Sequence, residues 1–425
     1  MQRLKRFFSK GDFIRGLVAD IRANRFAPSI IRHFDWLLFL AIICLAAFGI
    51  VSIFAATTAA TDVETNTVSE MLSVHSITYP RLQLIWFLAG TIAMCAVIFV
   101  DYKLYEKYAD IFYWFNITLL LLVLTVKAGR GGMTAFFNWG SESASGGQRG
   151  FQPSEFGKFF IIVSLARTFA NRKKPIRTFR ELVPVTIYVA IPLVLVFLQP
   201  DFGTALVYVA IFAVLLWVSG TNLKLIAGIL AIMLCILIPA WYYLNASSTS
   251  FRLTRILMWL NPEDYPDDAR QVINGQIAIG TGGLTGRGLA TLGSFASLGF
   301  IPDDHTDFCF AIVGETFGFV GACAVIFVFA FLLGRIIYHS YKITDKFGSY
   351  CVIGVAAMFL FHILENICMI LGILPVTGIP LPFVSYGGSN MLTNMLAIGL
   401  VENVVIRSRQ HAQSNRINIS RSISL

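Results

Sequence analysis

Stretches of about 18–20 apolar residues recur along this chain from Trp36 onward, and each is long enough to cross a bilayer as a helix. They fall at about 36–57, 82–100, 108–126, 153–170, 182–198, 201–219, 222–241, 308–334, 349–371 and 390–406. Inside a bilayer every backbone polar group has to be bonded within the protein, so spans of this kind are helical. The sequence therefore predicts an all-α polytopic membrane protein with about ten transmembrane helices. Composition agrees, because 56% of the 425 residues are hydrophobic and only 13% are charged. The first apolar stretch begins too far into the chain for a cleaved secretory signal and is read as the first span.

Lysine and arginine set the orientation. Arg3, Lys5, Arg6, Lys10, Arg15, Arg22, Arg25 and Arg32 precede the first span, and Arg172, Lys173, Lys174, Arg177 and Arg180 follow the fourth. Arg335, Lys342 and Lys346 lie between the eighth and ninth, and Arg407, Arg409, Arg416 and Arg421 follow the last. Positive loops stay cytoplasmic, so both termini are expected there, with a large extracytoplasmic loop between helices 7 and 8. Three regions follow: a basic amphipathic cytoplasmic segment, 1–35; a membrane domain, 36–406; and a basic cytoplasmic tail, 407–425. The formal charge of +9 is explained by this asymmetry and by anionic lipid, so no nucleic-acid partner is expected. Seven cysteines, an odd number without paired metal spacing, read as small buried side chains.

The polar residues worth weighing collect in the loops assigned to the outer side. Gln152-Pro153-Ser154-Glu155 opens the fourth span, with Lys158 one turn beyond Glu155 and able to pair with it. Gln199-Pro200-Asp201-Phe202-Gly203-Thr204 separates the fifth and sixth spans, and a helix cap is a sufficient explanation for Asp201. The long loop holds an interfacial segment at 251–260, a second segment at 269–279 and a glycine-patterned stretch to Gly288. Part of it is expected to dip back toward the membrane, covered by protein. It ends in Ile301-Pro302-Asp303-Asp304-His305-Thr306-Asp307-Phe308, which runs into the eighth span. In the ninth span His362, Glu365 and Asn366 sit at one-turn spacing and read as a buried hydrogen-bonded cluster rather than a metal site. Three prolines and three glycines mark 374–389, a backbone tolerated near a bilayer only against protein or a cavity.

Ionisable groups at a membrane edge mark chemistry by default. A carboxylate there could act as general base on a hydroxyl, with Arg149, Lys158, Arg252, Arg255, Arg270 and Arg287 offering positive charge to an anionic leaving group. That suits glycosyl transfer from a lipid diphosphate, and it equally suits a proton-coupled transporter. The presumed cytoplasmic loops are short and basic and carry no nucleotide-binding glycine motif, so no nucleotide cofactor is expected.

In these motifs the chain resembles the SEDS family, the shape, elongation, division and sporulation proteins of bacteria. The matching stretches are Gln152-Pro153-Ser154-Glu155 with Lys158, the 199–204 turn, Asn274-Gly275-Gln276 through Gly288, Ile301 through Glu315, and Leu374 to Ser389. Pro375-Val376-Thr377-Gly378-Ile379-Pro380-Leu381-Pro382 is similar to the RodA branch, used in elongation, more than to the FtsW branch, used in division. The resemblance implies a peptidoglycan glycosyltransferase of the inner membrane that polymerises lipid II at the outer face. It makes Asp307 the essential carboxylate and general base. It makes Trp139, Arg149, Glu155, Lys158, Gln199, Asp201, Gln276, His305, Thr306, Ser385 and Tyr386 the candidate substrate-binding residues. Trp139 and Arg149 stand in for a family Arg-Trp pair that a Gly/Ser-rich insertion separates here. The implied partners are lipid II, the growing glycan strand, a class B penicillin-binding protein and the cell-elongation complex. The implied cofactor is a divalent cation, magnesium or manganese, at a site the sequence does not locate. A lipid II flippase or other polyprenyl-lipid transporter, a division-type polymerase and a non-catalytic scaffold are the competing readings.

Overall fold

A computed structural model describes residues 29–57, 77–126, 137–138, 150–199, 201–245, 251–289, 293–296, 298–301 and 305–423. The amphipathic segment expected before residue 29 lies outside them, as do Trp139 and Arg149. The helices are α1 (Ser29–His33), α2 (Trp36–Ala56), α3 (Thr78–Phe99), α4 (Tyr102–Lys107), α5 (Ala109–Val126), α6 (Pro153–Ala170) and α7 (Phe179–Leu198). They continue with α8 (Phe202–Val218), α9 (Leu223–Asn245), α10 (Phe251–Leu260), α11 (Pro266–Thr281), α12 (Cys309–Lys342), α13 (Lys346–Ile370) and α14 (Gly388–Ile423). A short antiparallel pair, β1 (Phe137–Asn138) and β2 (Gly150–Phe151), sets Phe137 opposite Phe151 just before α6.

Each of the ten apolar stretches falls on a helix. Six helices, α2, α3, α7, α12, α13 and α14, are long and apolar enough to cross a membrane. Helices of this kind make the chain a multi-pass membrane protein. Bulky apolar side chains such as Ile92, Trp114 and Phe327 stay exposed on its outer surface, where lipid covers them. The two most enclosed spans are α13 and α14. Small residues let α14 lie close against α3: a Cβ added to Gly399 would meet the Met94 carbonyl at 2.9 Å.

The helix ends extend past the apolar stretches because polar partners continue there. α12 runs to Lys342 and α14 to Ile423, so much of the expected tail is helix. Asn403 donates to the Val97 carbonyl at 2.7 Å, Arg407 approaches Asp101 at 3.7 Å, and Arg409 donates to the His33 carbonyl at 2.6 Å. At the same end Asp35 caps α2, accepting from the amides of Leu37 and Leu38. Its carboxylate also takes a bidentate pair from Arg335 at 2.7 and 3.1 Å and a short contact from His339. Glu402 accepts the Asp35 amide at 3.1 Å. Burial is the largest influence on Asp35 and opposes its charge, but the hydrogen bonds and charges of His339 and Arg335 outweigh it and hold the carboxyl well below the usual range. A depressed carboxyl stabilises the fold above its unfolded value and stops doing so as pH falls through the folded one. Asp35→Asn is therefore expected to lower thermal stability by about 2–3 kcal/mol at neutral pH. The difference from wild type should shrink only in acid below about pH 4 in a melting series.

The long loop folds back onto a broken helix. Within α12, Gly318 leaves helical geometry at φ 66°, ψ −163°. The carbonyls of Glu315 and Thr316 are taken instead by the amides of Arg287 and Gly288, at 2.9 and 3.1 Å. The amides of Phe319 and Val320 donate in turn to the carbonyls of Gly283 and Leu284, at 2.8 and 3.1 Å. Residues 283–288 thus repair the break they are packed against, as backbone at membrane depth requires. The Glu315 carboxylate is used structurally, accepting from the amides of Phe295 and Ala296.

Candidate active site

Three polar groups meet in the apolar interior between α6 and α13. Pro153 occupies the first turn of α6, where a missing N–H costs nothing, and projects Glu155 and Lys158 onto one face. Lys158 Nζ lies 2.5 Å from Glu155 Oε1 and 2.9 Å from His362 Nε2. His362 Nδ1 sits 2.7 Å from the Met358 carbonyl, which fixes it as the protonated nitrogen and leaves Nε2 to accept from the ammonium. Lys158 is 1% exposed. The predicted pair exists, and it is buried with a histidine as its third member.

Asp201 joins two motifs that are far apart in sequence. Its Oδ1 caps α8 through the Thr204 amide at 3.1 Å, as expected. Its Oδ2 also accepts from Gln152 Nε2 and Ser154 Oγ, both at 2.8 Å, which locks the start of α8 to the start of α6. Gln199 is buried and donates to the Leu120 carbonyl at 2.9 Å, so it acts as a strut between α5 and α7.

The loop from 371 to 387 closes over this end of the bundle and meets Asp307. Asn366 on α13 donates to the main-chain carbonyls of Asp307, at 2.8 Å, and Ile379, at 2.7 Å, pinning both loops. Gly378 turns with φ 77°, and a Cβ there would lie 3.1 Å from Asp307 Oδ2 and 3.8 Å from Arg255 Nη1. The carboxylate and the α10 guanidinium thus face the same glycine, whose left-handed φ disfavours any side chain there. Glu365, one residue before Asn366, accepts a short hydrogen bond from the Thr377 hydroxyl. Phe383 in this loop holds a positive φ of 64° and is fully buried, a strained backbone kept in place by packing that includes the Phe359 ring.

The remaining candidates sit at the rim. Tyr386 donates its amide to the His305 carbonyl at 2.9 Å, and Tyr79 from α3 brings its ring to 4.6 Å from His305 and 5.2 Å from Tyr386. Gln83, also on α3, donates to the Ser385 carbonyl at 3.0 Å. Thr306 is partly exposed beside Asp307. Gln276 on α11 reaches Gly372, whose carbonyl accepts from Trp259 at 3.0 Å. His305 and Tyr386 therefore meet directly, bringing Thr306 and Asp307 and the neighbouring Ser385 to the same rim, while Glu155 and Lys158 pair on α6 and Asp201 joins the starts of α6 and α8. Sequence reasoning passed over Tyr79, Gln83 and Thr377, whose roles depend on contacts across the fold that no local spacing signals. The face expected for His362, Glu365 and Asn366 is buried as read, but each residue serves a different partner.

This geometry can be set beside known proteins. The FtsW/RodA/SpoVE family model, described as a cell cycle protein, matches residues 35–410. The chain belongs to the SEDS family, a family of peptidoglycan glycosyltransferases. It is 32% identical to the "Probable peptidoglycan glycosyltransferase FtsW" of Trichlorobacter lovleyi, over 89% of this chain and 94% of the relative. It is 28% identical to the peptidoglycan glycosyltransferase RodA of Treponema pallidum, over 89% of this chain and 98% of the relative. A chain from a structure on coordination of polymerization and crosslinking by a peptidoglycan synthase complex superposes with a TM-score of 0.69. It shares 25% identity, over 89% of this SEDS chain and 99% of its own length. The RodA crystal structure of Thermus thermophilus, 24% identical over 88% and 96%, shares the fold at a TM-score of 0.62.

Proposed function

We propose that this SEDS protein polymerises lipid II into glycan strands, with Asp307 as the general base. The observation that carries the reading is the Asp307 carboxylate set beside the Arg255 guanidinium over Gly378, at the end of the bundle where the polar motifs converge. Asp307 takes the proton of the acceptor sugar hydroxyl. The freed oxygen pair forms the new bond to the donor's anomeric carbon, and the carbon–oxygen bond to diphosphate breaks with its electrons leaving on the diphosphate. Arg255 is placed to stabilise that departing charge. The expected ten-span topology, with both termini in the cytoplasm, supports an outer-face location for this end, where the lipid-linked donor would meet the strand.

The 375–382 loop supports assignment to the elongation branch, alongside a class B penicillin-binding protein that cross-links the strands. For the divalent cation, the test is the donor set. Among the described residues no group of three His, Cys, Asp or Glu side chains comes together. Among the described residues, then, no donor set fits a resident metal. A magnesium or manganese ion would arrive on the substrate diphosphate. Transport is the weaker reading, because the ionisable groups at the other end, Asp35, Arg335, His339 and Glu402, are tied to one another and to the start of α2 rather than left open along a path from Asp307, Asp201 and Glu155.

The chain, purified with its penicillin-binding partner and given lipid II, is expected to make glycan strands, and Asp307→Ala to lower the rate at least about 100-fold while still folding. Unchanged polymer in that variant would remove Asp307 from the chemistry. Lipid II crossing liposome membranes without any polymer would establish the transporter instead.

A further inference from the structure

Glu365 is a buried acid that the chemistry above does not use, and it adjoins the carboxylate that does. The residue is 2% exposed. Oε1 accepts from the Thr377 hydroxyl, whereas Oε2 is buried and has no hydrogen-bond partner among the described residues. A carboxyl oxygen left unsatisfied away from water destabilises a fold, so its presence calls for a reason other than packing. Two links tie it to Asp307. Thr377 holds Glu365, while its neighbour Gly378 faces the Asp307 carboxylate. Asn366, next in sequence, holds the Asp307 carbonyl at 2.8 Å.

We propose that Asp307 and Glu365 work as one coupled pair of acids, with Glu365 a positioning residue that sets the protonation of Asp307 through charge. The proposal rests on the polymerase reading with Asp307 as base. Two like acids that interact release their protons in two steps that belong to the pair. The other charged and titratable groups around them are Arg255 from α10, His305 in Asp307's own loop, Asp201 at the start of α8, and the Glu155–Lys158–His362 set from α6 and α13. Glu155 and Lys158 offset each other, and Asp201 is engaged by Gln152, Ser154 and Thr204. Arg255, which faces the same glycine as Asp307, and Glu365 are of opposite sign.

The test is the rate of lipid II polymerisation against pH, measured on the full chain with its penicillin-binding partner. Glu365→Gln keeps an oxygen for Thr377 and removes only the ionisation. The wild-type kcat profile should carry two ionisations and Glu365→Gln one, with KM for lipid II unchanged, while Glu365→Asp keeps both. Both ionisations surviving in Glu365→Gln, or a loss equal at every pH, overturns the proposal. Should Glu365→Gln not fold, Thr377→Val, which removes the hydrogen bond to Glu365, is expected to move one ionisation by about half a pH unit or more. Unmoved ionisations there overturn it as well. Failure of the polymerase reading is distinguishable, because it appears as polymer formed by Asp307→Ala at any pH.

Discussion

Lys158→Ala is expected to cost about 3–5 kcal/mol of stability, more than the lost packing of its side chain would explain. Lys158 is enclosed between α6 and α13, and its ammonium answers both Glu155 at 2.5 Å and His362 at 2.9 Å. Removing it strands the Glu155 carboxylate, whose Oε2 already has no hydrogen-bond partner among the described residues. Glu155→Ala leaves the complementary fault, a buried ammonium without its counter-charge. A buried ion pair gains little over apolar residues of the same shape, because desolvation offsets most of the attraction. The double variant Glu155→Leu with Lys158→Met should therefore melt closer to wild type than either alanine variant does. Thermal unfolding in detergent of wild type, Glu155→Leu, Lys158→Met and the double variant, arranged as a double-mutant cycle beside the two alanine variants, measures this. If the double variant loses the sum of the two single losses, the pair is not coupled.

The second large effect is expected at Gly286. Its φ is 83°, and a Cβ would lie 2.1 Å from the Thr316 carbonyl oxygen. Gly286→Val adds left-handed strain to a collision with backbone, and neither can be relieved without pulling 283–288 away from α12. A loss of about 4 kcal/mol or more is expected, enough to abolish the folded peak in size-exclusion chromatography. Gly283→Ala supplies the contrast. It too has a positive φ, 55°, but nothing lies within 4 Å of its Cβ position, so about 1–2 kcal/mol of backbone cost is expected and folded protein survives.

What could be read from the chain alone follows how local each signal is. Apolar length carries the spans, because it is a property of consecutive residues. Glu155 and Lys158 were legible as a pair because one helical turn separates them, and Asp201 was legible as a cap because its partner amide is three residues on. The second duty of Asp201, holding Gln152 and Ser154, was not, since it arises only when α6 and α8 start side by side. The period that groups His362, Glu365 and Asn366 is real, but which partner each finds depends on three different elements. The break at Gly318 was hidden for the same reason. One glycine in a long apolar run is ordinary, and its meaning comes from residues 283–288.

That exchange between 283–288 and 315–320 also sets an order of assembly. The repairing segment is synthesised first and cannot finish its own bonding until the helix downstream has emerged. Until the two dock, the nascent chain carries open amides and carbonyls on both sides of Gly318, a poor solute for lipid. The 283–288 segment and the broken helix therefore complete their backbone bonding together or not at all.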